Sequence, residues 1–151
     1  MNGYAVLKLL HVLAVIVWVG GALTANVLVW RVARAGDRAA LTSLMGSLTG
    51  IGRGMTGPAS LVTLLTGIGM MLAGRLDHTA LWIQWGFAGV VIHFLFGPVL
   101  LRRAGMELFA SLTSGDDARF AAARQRVGRL NVVYLLVLVS VVSVMVLKPT
   151  L

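Results

Sequence analysis

Two histidines, His11 and His93, lie inside long uncharged stretches of this 151-residue chain, where ionisable side chains are otherwise absent. A polar group placed in an apolar medium costs free energy unless it is partnered, so such groups concentrate where function needs them. In a helix, Ala14, Val15, Trp18, Ala22 and Ala25 share a face with His11. Around His93 the same arithmetic places Trp82, Gly86, Gly89 and Gly97. Each imidazole therefore rises from a strip of small residues, with a tryptophan two or three turns away. Small residues let a flat body approach the backbone. A porphyrin is one candidate, held by a neutral imidazole bonded to its iron. Another helix is the second candidate, with the histidines serving as interhelical hydrogen-bond partners. Zinc or non-haem iron would normally take a third protein ligand, and the pattern offers none. Two histidines on two such faces, with no carboxylate in any apolar run, favour a bound cofactor over a purely structural role.

Depth constrains how a ring could be held. At 1.5 Å per residue, His11 lies roughly 10 Å from Tyr4, and His93 roughly 21 Å from Thr79. One upright haem spanning both requires helix tilt to absorb the difference. Met70 and Met71 lie nearer the level of His11, and a thioether can supply a second axial bond, although most methionines fill apolar gaps. Lys8 and Arg75, close to the same end, are candidates for neutralising haem propionates; snorkelling to headgroups is their ordinary role. Pro98 withholds a hydrogen bond from Phe94, next to His93, and is expected to kink the helix. Gly46, Gly50 and Gly54 repeat every four residues and read as a helix-packing face. Arg53 beside them reads as a membrane-boundary anchor.

The elements that must position these residues follow from composition. The chain is 58% hydrophobic and 12% charged, with a mean hydropathy of +0.91, whereas soluble chains carry about 25% charge. A chain of this size has too much surface relative to core to hide so many apolar residues as a soluble globule. Four uncharged runs stand out: Leu9–Trp30, Gly54–Gly74, Thr79–Leu101 and Leu130–Leu147. Roughly 20 apolar residues cross a bilayer as a helix. The sequence predicts one all-α transmembrane domain, a four-helix bundle with helices near 4–30, 54–74, 79–101 and 130–148. The first run lacks a basic start and is too long for a signal-peptide core, so it reads as a retained helix.

Ten of the 13 basic residues fall in two segments. Arg31, Arg34, Arg38 and Arg53 separate the first two runs; Arg102, Arg103, Arg119, Arg124, Arg126 and Arg129 separate the last two. Lys8, Arg75 and Lys148 lie at the other end. The positive-inside rule makes both basic segments cytoplasmic and both termini external, in a bacterial inner membrane. Leu41, Leu44, Met45, Leu48 and Ile51 recur at helical spacing, and Phe120 and Val127 stripe a second piece for which Ser114 is a candidate cap. These pieces are expected to extend the first and last helices inward or to lie along the inner leaflet. The stretch Arg75–His78 is a tight outer turn. Cysteine is absent, which excludes disulfides, thiolate metal sites and cysteine nucleophiles. The arginines flank the spans without aromatic interleaving, which argues against nucleic acid. No Ser–His–Asp set can be assembled at one depth.

The text Leu7-Lys8-Leu9-Leu10-His11-Val12-Leu13 followed by Trp18-Val19-Gly20-Gly21 resembles the opening of HemJ-type protoporphyrinogen IX oxidases, and related membrane families grouped with CopD copper-resistance domains. The likeness continues through Met55-Thr56-Gly57-Pro58, Trp82 with His93, Arg129-Leu130-Asn131 and Val146-Leu147-Lys148-Pro149. It implies a four-helix haem b protein in which His11 is the first-helix haem ligand and His93 the matching histidine of the third helix. It also implies porphyrin oxidation as the activity. Gly86 stands where the oxidases carry lysine, and Asn131-Val132-Val133-Tyr134 where they tend to carry Asn-Glu-x-Pro.

The expected function is thus a haem b-binding inner-membrane protein with a redox or electron-transfer role, HemJ-like oxidation being one form of it. In that reading His11 and His93 serve as iron ligands or ligand and distal residue, Ala22, Gly86 and Gly89 make room for the ring, and Trp18 packs on it. A CopD-like copper protein using His11, His93 and Met70 or Met71 is the alternative, since soft ligands suit Cu(I). A cofactor-free accessory subunit is the third. The expected partners are the lipid bilayer, a redox protein or porphyrin substrate, and a second copy through the glycine faces.

Overall fold

The computed structural model describes residues 2–149. It is all-helical among the described residues, with four helices long and apolar enough to cross a membrane. The first, α1 (Gly3–Ala35), starts where the Asn2 side chain accepts from the Tyr4 N–H, satisfying one of the donors that helix starts leave free. It ends at Gly36, whose φ of 75° is the left-handed conformation that glycine adopts without penalty.

After that one-residue reversal Asp37 caps α2 (Arg38–Ile51) by accepting from the Ala40 N–H. α2 does not stop at the membrane boundary. It passes through a π-helical turn, Gly52–Thr56, into α3 (Gly57–Gly74), giving one 37-residue rod. The Gly57 N–H reaches back to the Gly52 carbonyl, the wide spacing of a π-turn. The other half repeats the design. α4 (Leu81–Leu95) runs through a π-helical stretch, Phe96–Leu101, into α5 (Arg102–Thr113). Pro98 in that stretch has no N–H to give the Phe94 carbonyl, and the ladder resumes with Arg102 N–H bonded to the Gly97 carbonyl. α6 (Asp117–Leu147) is capped by Asp116, which accepts from the Arg119 N–H. Ser114, the expected cap, instead accepts from the N–H of Asp116 two residues on.

The helical pieces beyond the apolar runs therefore extend the second, third and fourth rods, and α1 itself continues five residues past Trp30 to Ala35. The expected inward extension of the last helix by the Phe120–Val127 piece is observed, whereas the Leu41–Ile51 piece extends the second rod and not the first, which corrects that part of the expectation. Rods of 31–37 residues reach roughly 50 Å at 1.5 Å per residue, well beyond about 30 Å of hydrocarbon. The surplus forms an arginine-rich domain at one end. There Ala33, Leu41, Ala104, Leu108, Phe120, Ala123 and Val127 close a small core. Arg38 pairs with Asp117 and lies over the Phe120 ring, and Arg126 pairs with Glu107 at 2.7 Å.

A second core, centred on Trp18, Ala59, Val90, Tyr134 and Leu138, occupies the spanning region. Most large apolar side chains of the spans face outward, Leu9, Ile16, Leu65, Leu72 and Leu136 among them, as lipid rather than water demands. α1 packs mainly on α3 and α4 mainly on α6, while α3 and α4 touch only sparsely. The gap between these two pairs is where the site lies.

Candidate functional site

A cavity of about 580 Å³ opens between α1, α3, α4 and α6, toward the end of the bundle that carries both termini. Its volume falls within the roughly 300–1,000 Å³ usual for small-molecule pockets. Its walls are apolar, with His11 as the one imidazole among the lining residues.

His11 is fixed by α3. Its Nδ1 lies 2.9 Å from the Thr63 carbonyl and 3.1 Å from the Thr66 hydroxyl. A backbone carbonyl can only accept, so Nδ1 carries the proton and Nε2 is the lone-pair nitrogen. Thr66 can serve here because its own hydroxyl donates backward, 2.6 Å to the Val62 carbonyl. The helix face that meets the imidazole is open because residue 67 is glycine. A Cβ there would stand 3.4 Å from His11 Cε1. The sequence supplies this arrangement through Thr63, Thr66 and Gly67, spaced to fall on one face of α3.

The other expected site residues divide. Trp18, Lys8, Met70, Met71 and Gly86 line the same cavity as His11. Met145 lines it as well, and a Cβ on Gly86 would collide with the Met145 methyl. Gly86 thus makes room for α6 as much as for any ligand. Gly89 does so entirely: a Cβ there would collide with Val141. Ala22 packs against the Trp18–Tyr134 core, away from the cavity wall. Arg75 ends α3 in a left-handed conformation (φ 46°) and lies outside the lining. Its expected place at the rim is taken by Lys148, whose ammonium sits 5.0 Å from the Trp82 ring centroid.

His93 is not brought to the cavity. Its Nδ1 lies 2.6 Å from the Tyr134 hydroxyl, and the edge of Trp18 meets its ring with centroids 4.6 Å apart. Trp18 is 3% exposed and Tyr134 5%, so one side of Trp18 faces the cavity while the other seals a polar pair behind it. The indole Nε1 of Trp18 is enclosed there without a hydrogen bond of ordinary geometry. Among the described residues no three His, Asp or Glu side chains gather as a metal-binding set.

The sequence assigns no site role to Thr63, Thr66, Met145, Lys148 or Tyr134. The i, i+3 pair of threonines within an apolar span was the available signal for the first two.

The donor set and the space suit a haem. One imidazole, locked through Nδ1 by a backbone carbonyl, is the way protein histidines are oriented toward a metal. Lys8 and Lys148 stand among the lining, able to meet anionic substituents. No curated protein and no solved structure matches the chain. A family model described as "Predicted integral membrane protein (DUF2269)" matches residues 5–149. The chain therefore belongs to the DUF2269 family of predicted integral membrane proteins.

Proposed function

We propose that this protein binds haem b within the bundle and serves a redox role in a bacterial inner membrane. Its resemblance to the HemJ-type oxidases makes porphyrin oxidation the first activity to assay. The observation that carries the reading is His11: Nδ1 is held by the Thr63 carbonyl, and the ring borders an apolar cavity of about 580 Å³. Bound there, haem would supply one-electron chemistry. The chain's own residues would do the rest. His11 would offer Nε2 as the iron ligand, the Thr63 carbonyl would fix its tautomer, and Lys8 and Lys148 would meet the propionates. The apolar walls would keep water from the ring and so set its potential. Met70, Met71 and Met145, which line the cavity, would be candidates for a second ligand to the iron. His93, paired with Tyr134 behind Trp18, would act as a distal structural residue.

The grouping of the basic residues supports an arginine-rich end on the cytoplasmic side, with both termini outside.

Three thioethers beside one imidazole also favour a second reading, a Cu(I) site of the CopD kind. Protein purified from cells with ample haem supply should carry close to one haem per chain by the pyridine haemochrome assay. His11→Ala should retain less than a tenth of it while still folding. Copper without porphyrin in the elemental analysis would favour the second reading, and a His11→Ala variant with undiminished haem would remove the assignment.

A further inference from the structure

We propose that the arginine-lined groove between α1 and α6 is a binding site for an anionic glycerophospholipid of the adjoining leaflet. The groove encloses about 1430 Å³ and lies at the opposite end of the spans from the histidine cavity. Its upper wall carries Arg34, Arg124 and Arg129. Deeper down it is bounded by apolar side chains such as Val27, Val132 and Leu135, all on membrane-spanning runs. A charged mouth over an apolar floor matches a phosphate joined to acyl chains, and a soluble anion would use only the mouth.

The balance of charges around the groove favours an external anion. The chain has five acidic residues, and none lines the groove. Asp37 and Asp116 cap helices, Asp117 and Glu107 pair with Arg38 and Arg126, and Asp77 bonds Thr79. Arg124 is partly engaged, donating 3.1 Å to the Ala33 carbonyl near the end of α1, and Arg34 lies 5.4 Å over the Trp30 ring. Arg34 and Arg129 have no carboxylate partner among the described residues. Trp30, at the same level, belongs to the class of side chain that settles at headgroup depth. Asn131, in the wall below Arg129, has an amide that can donate to ester carbonyls. Basic pockets between spanning helices on the positively charged side are a known means of holding acidic headgroups.

The test uses the purified full chain in mild detergent, titrated with dioleoylphosphatidylglycerol, dioleoylphosphatidylcholine or inorganic phosphate. Native mass spectrometry counts bound lipid, and the thermal midpoint reads saturation. One phosphatidylglycerol per chain is expected to be retained, raising the midpoint, with no comparable effect of phosphatidylcholine. Arg129→Gln should weaken that binding roughly fivefold, and Arg34→Gln with Arg129→Gln by roughly twentyfold or more. A control removing the same charge outside the groove, Arg31→Gln with Arg119→Gln, should leave it unchanged. If the double groove variant fails to fold, Arg129→Gln alone decides. Equal binding of phosphatidylcholine, full reproduction by inorganic phosphate, or equal loss in the control would each overturn the proposal.

Discussion

At the scale of single residues, the two span histidines have opposite surroundings, and that difference can be measured. His11 borders a cavity and is oriented by a carbonyl that mutation cannot remove. His93 is partly buried behind Trp18, with the Tyr134 hydroxyl as its partner. Tyr134→Phe would leave His93 Nδ1 unpaired in an apolar interior, a loss of about 1–3 kcal/mol. Thermal unfolding should register it, whereas haem content should stay at the wild-type level. Loss of haem in that variant would mean that His93 acts on the ring directly. Outside the spans, the Thr79 hydroxyl, and after it the Thr79 N–H, hold the Asp77 carboxyl below its ordinary range. A depressed carboxylate stabilises the fold above its unfolded pKa and loses that effect as pH falls through the folded value. Protection of the Thr79 amide should therefore drop on acidification below about pH 4, and stay flat in Asp77→Asn. His11 stood out in the sequence because an imidazole among aliphatic residues is conspicuous. Its partner did not, because Thr63 is 52 positions away and only the register of α1 against α3 brings them together. Lys148 escaped for the same reason: its place at the rim depends on where α6 ends beside Trp82.

At the scale of elements, glycines separate into those that are filled by a neighbour and those that are not. Gly89 accepts Val141 and Gly86 accepts Met145, so α4 and α6 approach closely across them. Gly46, Gly50 and Gly54, expected as a packing face, have nothing within 4 Å of a built Cβ. Among the described residues nothing packs against that repeat. Gly89→Val should destabilise by about 1–3 kcal/mol through overpacking. Gly50→Ala should be neutral or stabilising by up to about 1 kcal/mol, because alanine is the better helix former. Denaturation in detergent of the two variants side by side checks both; a large loss in Gly50→Ala would place a partner on that face. The helical rods were legible from hydropathy because a spanning run is a local signal. Their continuation past the boundary was harder to see. Arg53 reads as an anchor at the membrane boundary, yet the backbone passes it as a π-turn without losing helicity.

At the scale of the whole molecule, two helix pairs diverge around the cavity and converge in an arginine-rich domain, giving the bundle two chemically distinct ends. The absence of cysteine makes this polarity simple to test. His78→Cys in intact cells should react with a membrane-impermeant maleimide, and Ser114→Cys should react only after permeabilisation. The reverse pattern would invert the orientation and put the histidine cavity on the cytoplasmic side. The exposed ion pairs Arg38–Asp117 and Arg126–Glu107 contribute little to stability, of order 0–1 kcal/mol each. Apolar packing and lipid hold the bundle together.

The most direct measurement is the absorption spectrum between 350 and 650 nm, oxidised and then reduced with dithionite, of haem-replete wild-type protein and of His11→Ala. A Soret band that shifts on reduction in the wild type and is absent from a folded His11→Ala is the predicted result. A folded wild-type protein that stays colourless under haem supplementation, or a variant with an unaltered Soret band, would contradict an iron bond to His11.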